Sequence, residues 1–193
     1  TGNVVWQANL LNNLGVLHII AGNYEGALIE LERSIEYANT GGYLRLGGYA
    51  LVSLGDLFTD IKAYKEAGEA YNKATSILNQ IHDLFLEFYI NLSMAELELA
   101  RGRFTRAREL IESAQEIALE TGSKYEMNLC KISKGKMALL HHNYHVVLSE
   151  VLPALTFFNE EGHHYEACKC RLLAGLAHTA SGKRKIGHQE LLE

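Results

Sequence analysis

Apolar residues recur along this chain at three-and-four spacing, as in Ala27, Leu28, Leu31, Ile35 and Ala38, with polar and charged residues between them. A helix turns once in about 3.6 residues, so this spacing gathers the apolar set on one face and predicts amphipathic helices. Gly22-Asn23, Gly102-Arg103 and Gly182-Lys183 suit two-residue turns between antiparallel helices, because glycine takes the left-handed conformation that ends a helix. Gly41-Gly42, Gly122 and Gly162 stop later helices in the same manner. The pattern predicts paired helices, the first of each pair over roughly 4–21, 43–61, 83–101, 123–141 and 163–181. The second helices run over roughly 24–39, 64–80, 104–121 and 144–161, with a stub from 184 to 193.

The pairs repeat with a period of forty. The turn Ala21-Gly22-Asn23-Tyr24 with Ala27 behind it returns as Ile61–Ala67, Arg101–Ala107 and His141–Val147, placing an aromatic at 24, 64, 104 and 144. One column reads Gly15, Gly55, Ala95, Gly135, Gly175, and another Ala27, Ala67, Ala107, Val147, Gly187. A third reads Ser34, Ala74, Ala114, Ala154, while large apolar residues recur at Leu31, Tyr71, Ile111 and Val151. Small residues let a facing helix approach, and the large ones fill the grooves beside it. The expectation is five units, 1–42, 43–82, 83–122, 123–162 and an incomplete 163–193, in a single domain with the recurrent aromatics in its core. In the fifth unit Arg184 replaces the aromatic and Gly187 the alanine. Pro153 falls inside a second helix, where its missing amide predicts a bend or break.

These columns resemble the tetratricopeptide repeat. Counting Ala8 as the first consensus position, Leu11, Leu14, Gly15 and His18 fall where that family has Trp, Leu, Gly and Tyr. Ala27, Leu31 and Ser34 fall on its Ala, Phe and Ala. The unit is longer than the family's usual 34 residues by about six, which is similar to the sensor domains of MalT-like bacterial transcription activators. The resemblance implies an all-α, α-α superhelix of about four and a half helix-turn-helix repeats, cut from a longer protein.

Composition narrows the class. Hydrophobic residues make up 48% and charged residues 21%, and a single proline agrees with an almost wholly helical chain. A net charge of −5 gives no support to phosphate contacts with nucleic acid. Residues 4–24 carry no charge, yet Gln7, Asn9, Asn12, Asn13, His18 and Asn23 would each be costly in hydrocarbon, so a buried helix is expected rather than a membrane span. Three cysteines, an odd number in a chain of this size, fit free thiols and a cytoplasmic location.

Candidate chemistry is thin. His141 and His145 lie on either side of a turn, and no thiol or carboxylate stands at a metal-motif spacing beside them. Cys168 and Cys170 point about 200 degrees apart on a helix, while Cys130 and Cys170 share a column, as packing residues do. Gly41-Gly42 and Gly47-Gly48 lack the strand and the Lys-Ser/Thr of a phosphate loop. Lys183-Arg184-Lys185 is too short for a nucleic-acid face. No nucleophile–base set or cofactor fingerprint can be assembled, so neither enzymatic activity nor a cofactor is expected.

What remains is the surface that the repeats build. In tetratricopeptide superhelices the first helices line the concave side. The resemblance therefore places Asn9, Asn12, Asn13 and Val16 in the groove, followed by Tyr49, Val52, Ser53 and Asp56. Tyr89, Leu92, Ser93 and Glu96 come next, then Leu129, Ile132, Ser133 and Lys136, and last Lys169, Leu172, Leu173 and Leu176. Two tyrosines among amides and hydroxyls suit a peptide backbone and a few apolar anchors, since each Asn both donates and accepts. The expected role is a protein-, peptide- or effector-binding scaffold, the sensing domain of a bacterial transcriptional regulator. The alternative is an assembly adaptor or a peptide-responsive signalling protein without a transcriptional role. Direct nucleic-acid contact is not expected. Leu172, Leu173, Leu176, Leu191 and Leu192 leave an apolar end that predicts self-association through the C-terminal repeat.

Overall fold

The computed structural model describes residues 2–192. Among them are ten helices and no strand: α1 (Gly2–Ile20), α2 (Tyr24–Gly41), α3 (Leu44–Asp60), α4 (Tyr64–Ile81), α5 (Leu84–Ala100), α6 (Phe104–Thr121), α7 (Lys124–Leu140), α8 (Tyr144–Glu160), α9 (His164–Ala180) and α10 (Arg184–Leu192). The helices belong to two compact units, one ending at Leu110 and the other beginning at Ile111.

Eight of the nine turns among the described residues use one device, and in the turn from α4 to α5 the His82 N–H bonds the Leu78 carbonyl at 2.8 Å instead. The backbone N–H of Asn23 reaches back to the His18 carbonyl at 2.9 Å, and that of Gly22 to the Ile19 carbonyl at 2.9 Å, which satisfies the last carbonyls of α1. The same six-residue closure recurs from Ala63 to Phe58, Arg103 to Glu98, Asn143 to Ala138 and Lys183 to His178. Between hairpins it runs from Tyr43 to Ala38, Ser123 to Ala118 and His163 to Phe158. Each turn has one left-handed residue. These are Gly22, Gly42, Lys62, His82, Gly102, Gly122, His142, Gly162 and Gly182, twenty residues apart throughout. The period of forty is thus two helix-and-turn steps of equal length.

Side-chain caps hold several of the following helices. Asn23 Oδ1 accepts from the Gly26 amide at 3.1 Å, and Asp83 Oδ1 from the Leu86 amide at 2.8 Å. Ser123 Oγ accepts from Glu126 in the same way at 3.3 Å. Each removes one orphan donor from a helix start.

Within the hairpins the small column admits the large residue sixteen positions on. A Cβ on Gly15 would come within 2.6 Å of Leu31 Cγ, and one on Gly175 within 2.7 Å of Leu191 Cγ. Gly55 meets Tyr71 and Gly135 meets Val151 in the same relation. Leu31, Tyr71 and Val151 are fully buried, as are Ala27, Ala67, Ala107 and Val147. Ser34, also fully buried, donates to the Ala8 carbonyl at 2.7 Å, so the one polar member of its column is satisfied.

Two expectations are corrected in part. Of the recurrent aromatics, Tyr24 is exposed rather than core, while Tyr64, Phe104 and Tyr144 are half-buried, with Tyr64 and Tyr144 packed against the core. Of the bend or break expected at Pro153, the break is absent, since α8 runs through it without interruption. Its ring lies on the exposed side, where the lost amide bond faces solvent.

The faces of α1 and α9 differ from their counterparts. Trp6, Leu10 and Leu17 are exposed on α1, whereas Ala50 and Ile90, and Leu57 and Leu97, at the positions of Leu10 and Leu17 in α3 and α5, are buried. Those inner helices pack against α2 and α4 of the preceding hairpin. Leu172, Leu176, Leu191 and Leu192 are likewise exposed, but Leu173 is buried. No helix among the described residues is long and apolar enough to cross a membrane.

Candidate functional site

In the first unit α1, α3 and α5 lie side by side, each the first helix of its hairpin. They form a cleft of about 440 Å³. Ala8, Asn9, Asn12, Asn13 and Val16 line it from α1, and Leu46, Tyr49, Val52, Ser53 and Asp56 from α3, with Tyr89 from α5. The 9-12-13-16 and 49-52-53-56 spacings each select one helical face, which is why two helices present the same four columns to the cleft.

The tyrosines meet edge to face, with ring centroids 6.1 Å apart and planes at 68°. That is a favourable arrangement for two quadrupoles, because the positive edge of one ring meets the negative face of the other. The Arg45 guanidinium sits over the Tyr49 ring, 5.7 Å from its centroid, and its Nε pairs with Asp83 Oδ2 at 2.8 Å. Tyr49 and then Asp83 hold the Arg45 pKa above its ordinary value, against the opposing effect of desolvation. Asp83 also caps α5, so one carboxylate ties the start of α5 to α3 and fixes the approach of Tyr89 to Tyr49.

Asp56 connects the cleft to the core. Its Oδ1 accepts from the Tyr71 hydroxyl at 2.8 Å, and Thr59 Oγ1 lies 3.2 Å from the same hydroxyl while donating to the Gly55 carbonyl at 2.9 Å. Burial, then the Asp56 charge, pushes the Tyr71 phenol far above its ordinary range, and the Glu96 charge adds to this. The phenol therefore stays protonated and remains a donor. On α1, Asn12 Oδ1 is buried and has no hydrogen-bond partner among the described residues.

Of the sequence-expected groove residues, Asn9, Asn12, Asn13, Val16, Tyr49, Val52, Ser53, Asp56 and Tyr89 are brought together. Ser93 and Glu96 stand on α5 but do not line the cleft, and Lys136 is exposed on α7 in the second unit. Ser133 and Leu173, placed in groove columns by the family register, are buried. Ala8 and Leu46 complete the lining without having been expected. Both lie one turn before an expected residue, Asn12 and Tyr49, so helical spacing carried the signal for them.

Outside the cleft, burial pushes the Cys130 and Cys170 thiols up to about 12, and both are core residues, whereas Cys168 is exposed. Among the described residues no group of three or more His, Cys, Asp or Glu is placed to hold a metal ion.

Comparison with known proteins agrees with the helical-repeat fold. The family described as tetratricopeptide repeat matches residues 48–77, a span that begins one period after Ala8. A signal-transduction ATPase with numerous domains and a tetratricopeptide repeat sensor, from Pyrococcus horikoshii, superposes with a TM-score of 0.69 at 16% identity. The match covers 94% of this chain and 29% of that one, so this chain spans less than a third of the Pyrococcus protein. A putative kinesin light chain with nearly identical TPR-like repeats, from Podosopora anserina, gives 0.59 at 13% identity over 95% of this chain and 91% of that one. Pseudomonas aeruginosa pilF gives 0.58 at 15% identity over 97% and 90%. No curated protein matches the sequence. Residues 48–77 match the tetratricopeptide-repeat family, and the chain has the all-helical fold of tetratricopeptide-repeat proteins.

Proposed function

We propose that this chain is a recognition scaffold whose guest, a peptide segment or partner helix, lies in the cleft of α1, α3 and α5. The observation that carries this is the lining itself. Two edge-to-face tyrosines stand among three asparagines and a serine, so aromatic anchoring surface adjoins paired donors and acceptors. We further infer a sensing role in a bacterial transcriptional regulator of the MalT kind, acting in the cytoplasm, with the guest biasing how the repeats dock on neighbouring domains. A repeat array that serves as the sensor of a signal-transduction ATPase in Pyrococcus horikoshii supports that reading. In it the chain has no catalytic step and makes no direct contact with nucleic acid. A small-molecule effector would use the same lining.

A second reading, an assembly adaptor without a switch, draws on the Podosopora structure with TPR-like repeats, which this chain matches over 91% of its length. Flanking sequence with a nucleotide-binding motif and a helix-turn-helix favours the regulator, and flanking sequence without them the adaptor.

The cleft is tested by panning a displayed library of random dodecapeptides against the chain. A related set of peptides is expected to be enriched and to be lost on the Tyr49→Ala/Tyr89→Ala double variant, with helical circular dichroism unchanged. Enriched peptides that bind the double variant equally well would refute the assignment.

A further inference from the structure

Resting on the reading of the cleft as a recognition site, we propose that Asn12 sets its specificity: the guest anchors through a tryptophan, whose indole N–H is taken by Asn12 Oδ1 at the cleft floor. Burial divides the lining into a rim and a floor. Asn9 and Asn13 are exposed, so water already serves their amides. Ala8, Val52 and Ser53 are buried, and they line the cleft together with half-buried Asn12. Asn12 Oδ1 is shut off from solvent and has no hydrogen-bond partner among the described residues. An unmade bond at a buried acceptor is costly, so the empty cleft holds a group that gains from a guest supplying a donor. No bond holds Oδ1 in its place, and a turn about the last side-chain torsion brings it round to the cleft that Asn12 lines.

This floor selects a single donor without an acceptor. A guest carboxamide or hydroxyl also carries an oxygen, which loses its water on entry and needs a second donor. Indole carries one N–H and no acceptor, so one bond to Asn12 satisfies it in full. Phenylalanine would fill the same space and leave Asn12 unpaired. The walls agree. Tyr49 and Tyr89 meet edge to face beside Val16 and Leu46, and aromatic rings favour further contacts of that kind. It is the tyrosine rings that serve here, whatever their hydroxyls bond. Arg45, tied to Asp83, covers one face of the Tyr49 ring and holds it in place before the guest arrives. At about 440 Å³ the cleft falls within the range of small-ligand pockets and has room for a bicyclic ring.

The test uses the whole chain and the dodecapeptides enriched by panning. Tryptophan is expected at one fixed register position. Replacing it by benzothienylalanine exchanges the N–H for sulfur in the same bicyclic shape and should weaken binding about tenfold, measured by fluorescence anisotropy of the labelled peptide. Asn12→Leu removes the acceptor at similar volume and should cost the tryptophan peptide a similar factor, while leaving the affinity of the benzothienyl peptide unchanged. The peptide replacement needs no protein variant, so it decides the matter even if Asn12→Leu folds poorly. Peptides that require Tyr49 and Tyr89 yet lack tryptophan, or that bind equally well with benzothienylalanine, overturn the indole anchor and leave the cleft reading standing. If N-methylation of one main-chain amide abolishes binding and the benzothienyl exchange does not, the donor is the peptide backbone and the indole anchor fails. Peptides indifferent to the Tyr49→Ala/Tyr89→Ala change, or no enrichment at all, overturn both.

Discussion

The Tyr71 hydroxyl, on a residue of α4 with no exposed surface, donates to Asp56 of α3 across 2.8 Å, so a core side chain and a cleft side chain share one hydrogen bond. Tyr71 fills the space left by Gly55, and its polar tip emerges where the cleft begins. Tyr71→Phe keeps the ring and removes the donor, leaving Asp56 without that bond. Hydrogen bonds to charged groups contribute about 1.5–3 kcal/mol, and a loss in that range is expected in urea unfolding. Gly55→Ala drives a methyl into the ring and should cost about 1–3 kcal/mol, as overpacking does. A Tyr71→Phe variant as stable as the parent would show that the bond contributes nothing to the fold.

The left-handed turn positions give a prediction of opposite sign. Lys62, His82 and His142 hold φ of 63°, 50° and 57° at positions where the other turns have glycine. A residue with a Cβ pays about 1–2 kcal/mol for that conformation, and glycine does not. Part of the gain is returned because glycine also frees the unfolded chain. Lys62→Gly, His82→Gly and His142→Gly should each raise stability by about 0.5–1 kcal/mol, visible as a higher thermal midpoint. Gly22→Ala, the reverse change in an equivalent turn, should lower it by about 1 kcal/mol. A loss of stability in all three glycine variants would contradict the steric account.

These turns also mark how far the sequence could be read. Glycine at 22, 42, 102, 122, 162 and 182 announced the helix stops, because glycine is the default left-handed residue. Lys62, His82 and His142 occupy the same conformation under tertiary compulsion, so the even spacing of twenty was hidden behind residues that carry no turn signal. The lining behaved in the same way. Its columns followed from helical spacing and the family register, since both rest on local geometry. The bond from Tyr71 to Asp56 joins positions fifteen apart, and the orphaned Oδ1 of Asn12 depends on what packs over it. Neither has a sequence signature. The aromatics at 24, 64, 104 and 144 share a column but not a degree of burial, with Tyr24 exposed and the others half-buried, because periodicity marks a repeated position without fixing what packs over it.

Both ends of the array bear on association. Trp6, Leu10 and Leu17 are exposed on α1, as are Leu172 and Leu176 on α9 and Leu191 on α10. Exposed apolar stripes of this kind favour contact with another surface, and repeat arrays need polar end caps to stay apart. The chain is expected to show concentration-dependent association in sedimentation velocity. Leu172→Gln with Leu176→Gln should reduce it if the C-terminal repeat carries the contact, and Leu10→Gln with Leu17→Gln if α1 does. A single species of monomer mass up to several hundred micromolar protein would end the idea.

The buried thiols tie packing to pH. Cys130 and Cys170 stand in the column of Ala50 and Ile90, all four buried, and burial pushes both thiols up to about 12 from an ordinary value near 9.0. The thiolate, not the thiol, attacks a disulfide reagent. At pH 8 the folded chain should therefore titrate one thiol, the exposed Cys168, and all three only in denaturant. A raised folded-state pKa means that folding favours the protonated form. The associated stability is fully present below about pH 9 and is lost progressively as pH rises toward 12. Cys130→Ala/Cys170→Ala should be less stable at neutral pH, because each change leaves a small cavity, yet should flatten the alkaline limb of the stability curve. Rapid reaction of two or three thiols in the native chain at pH 8, or an alkaline limb unchanged in the double variant, would show that burial does not control these groups.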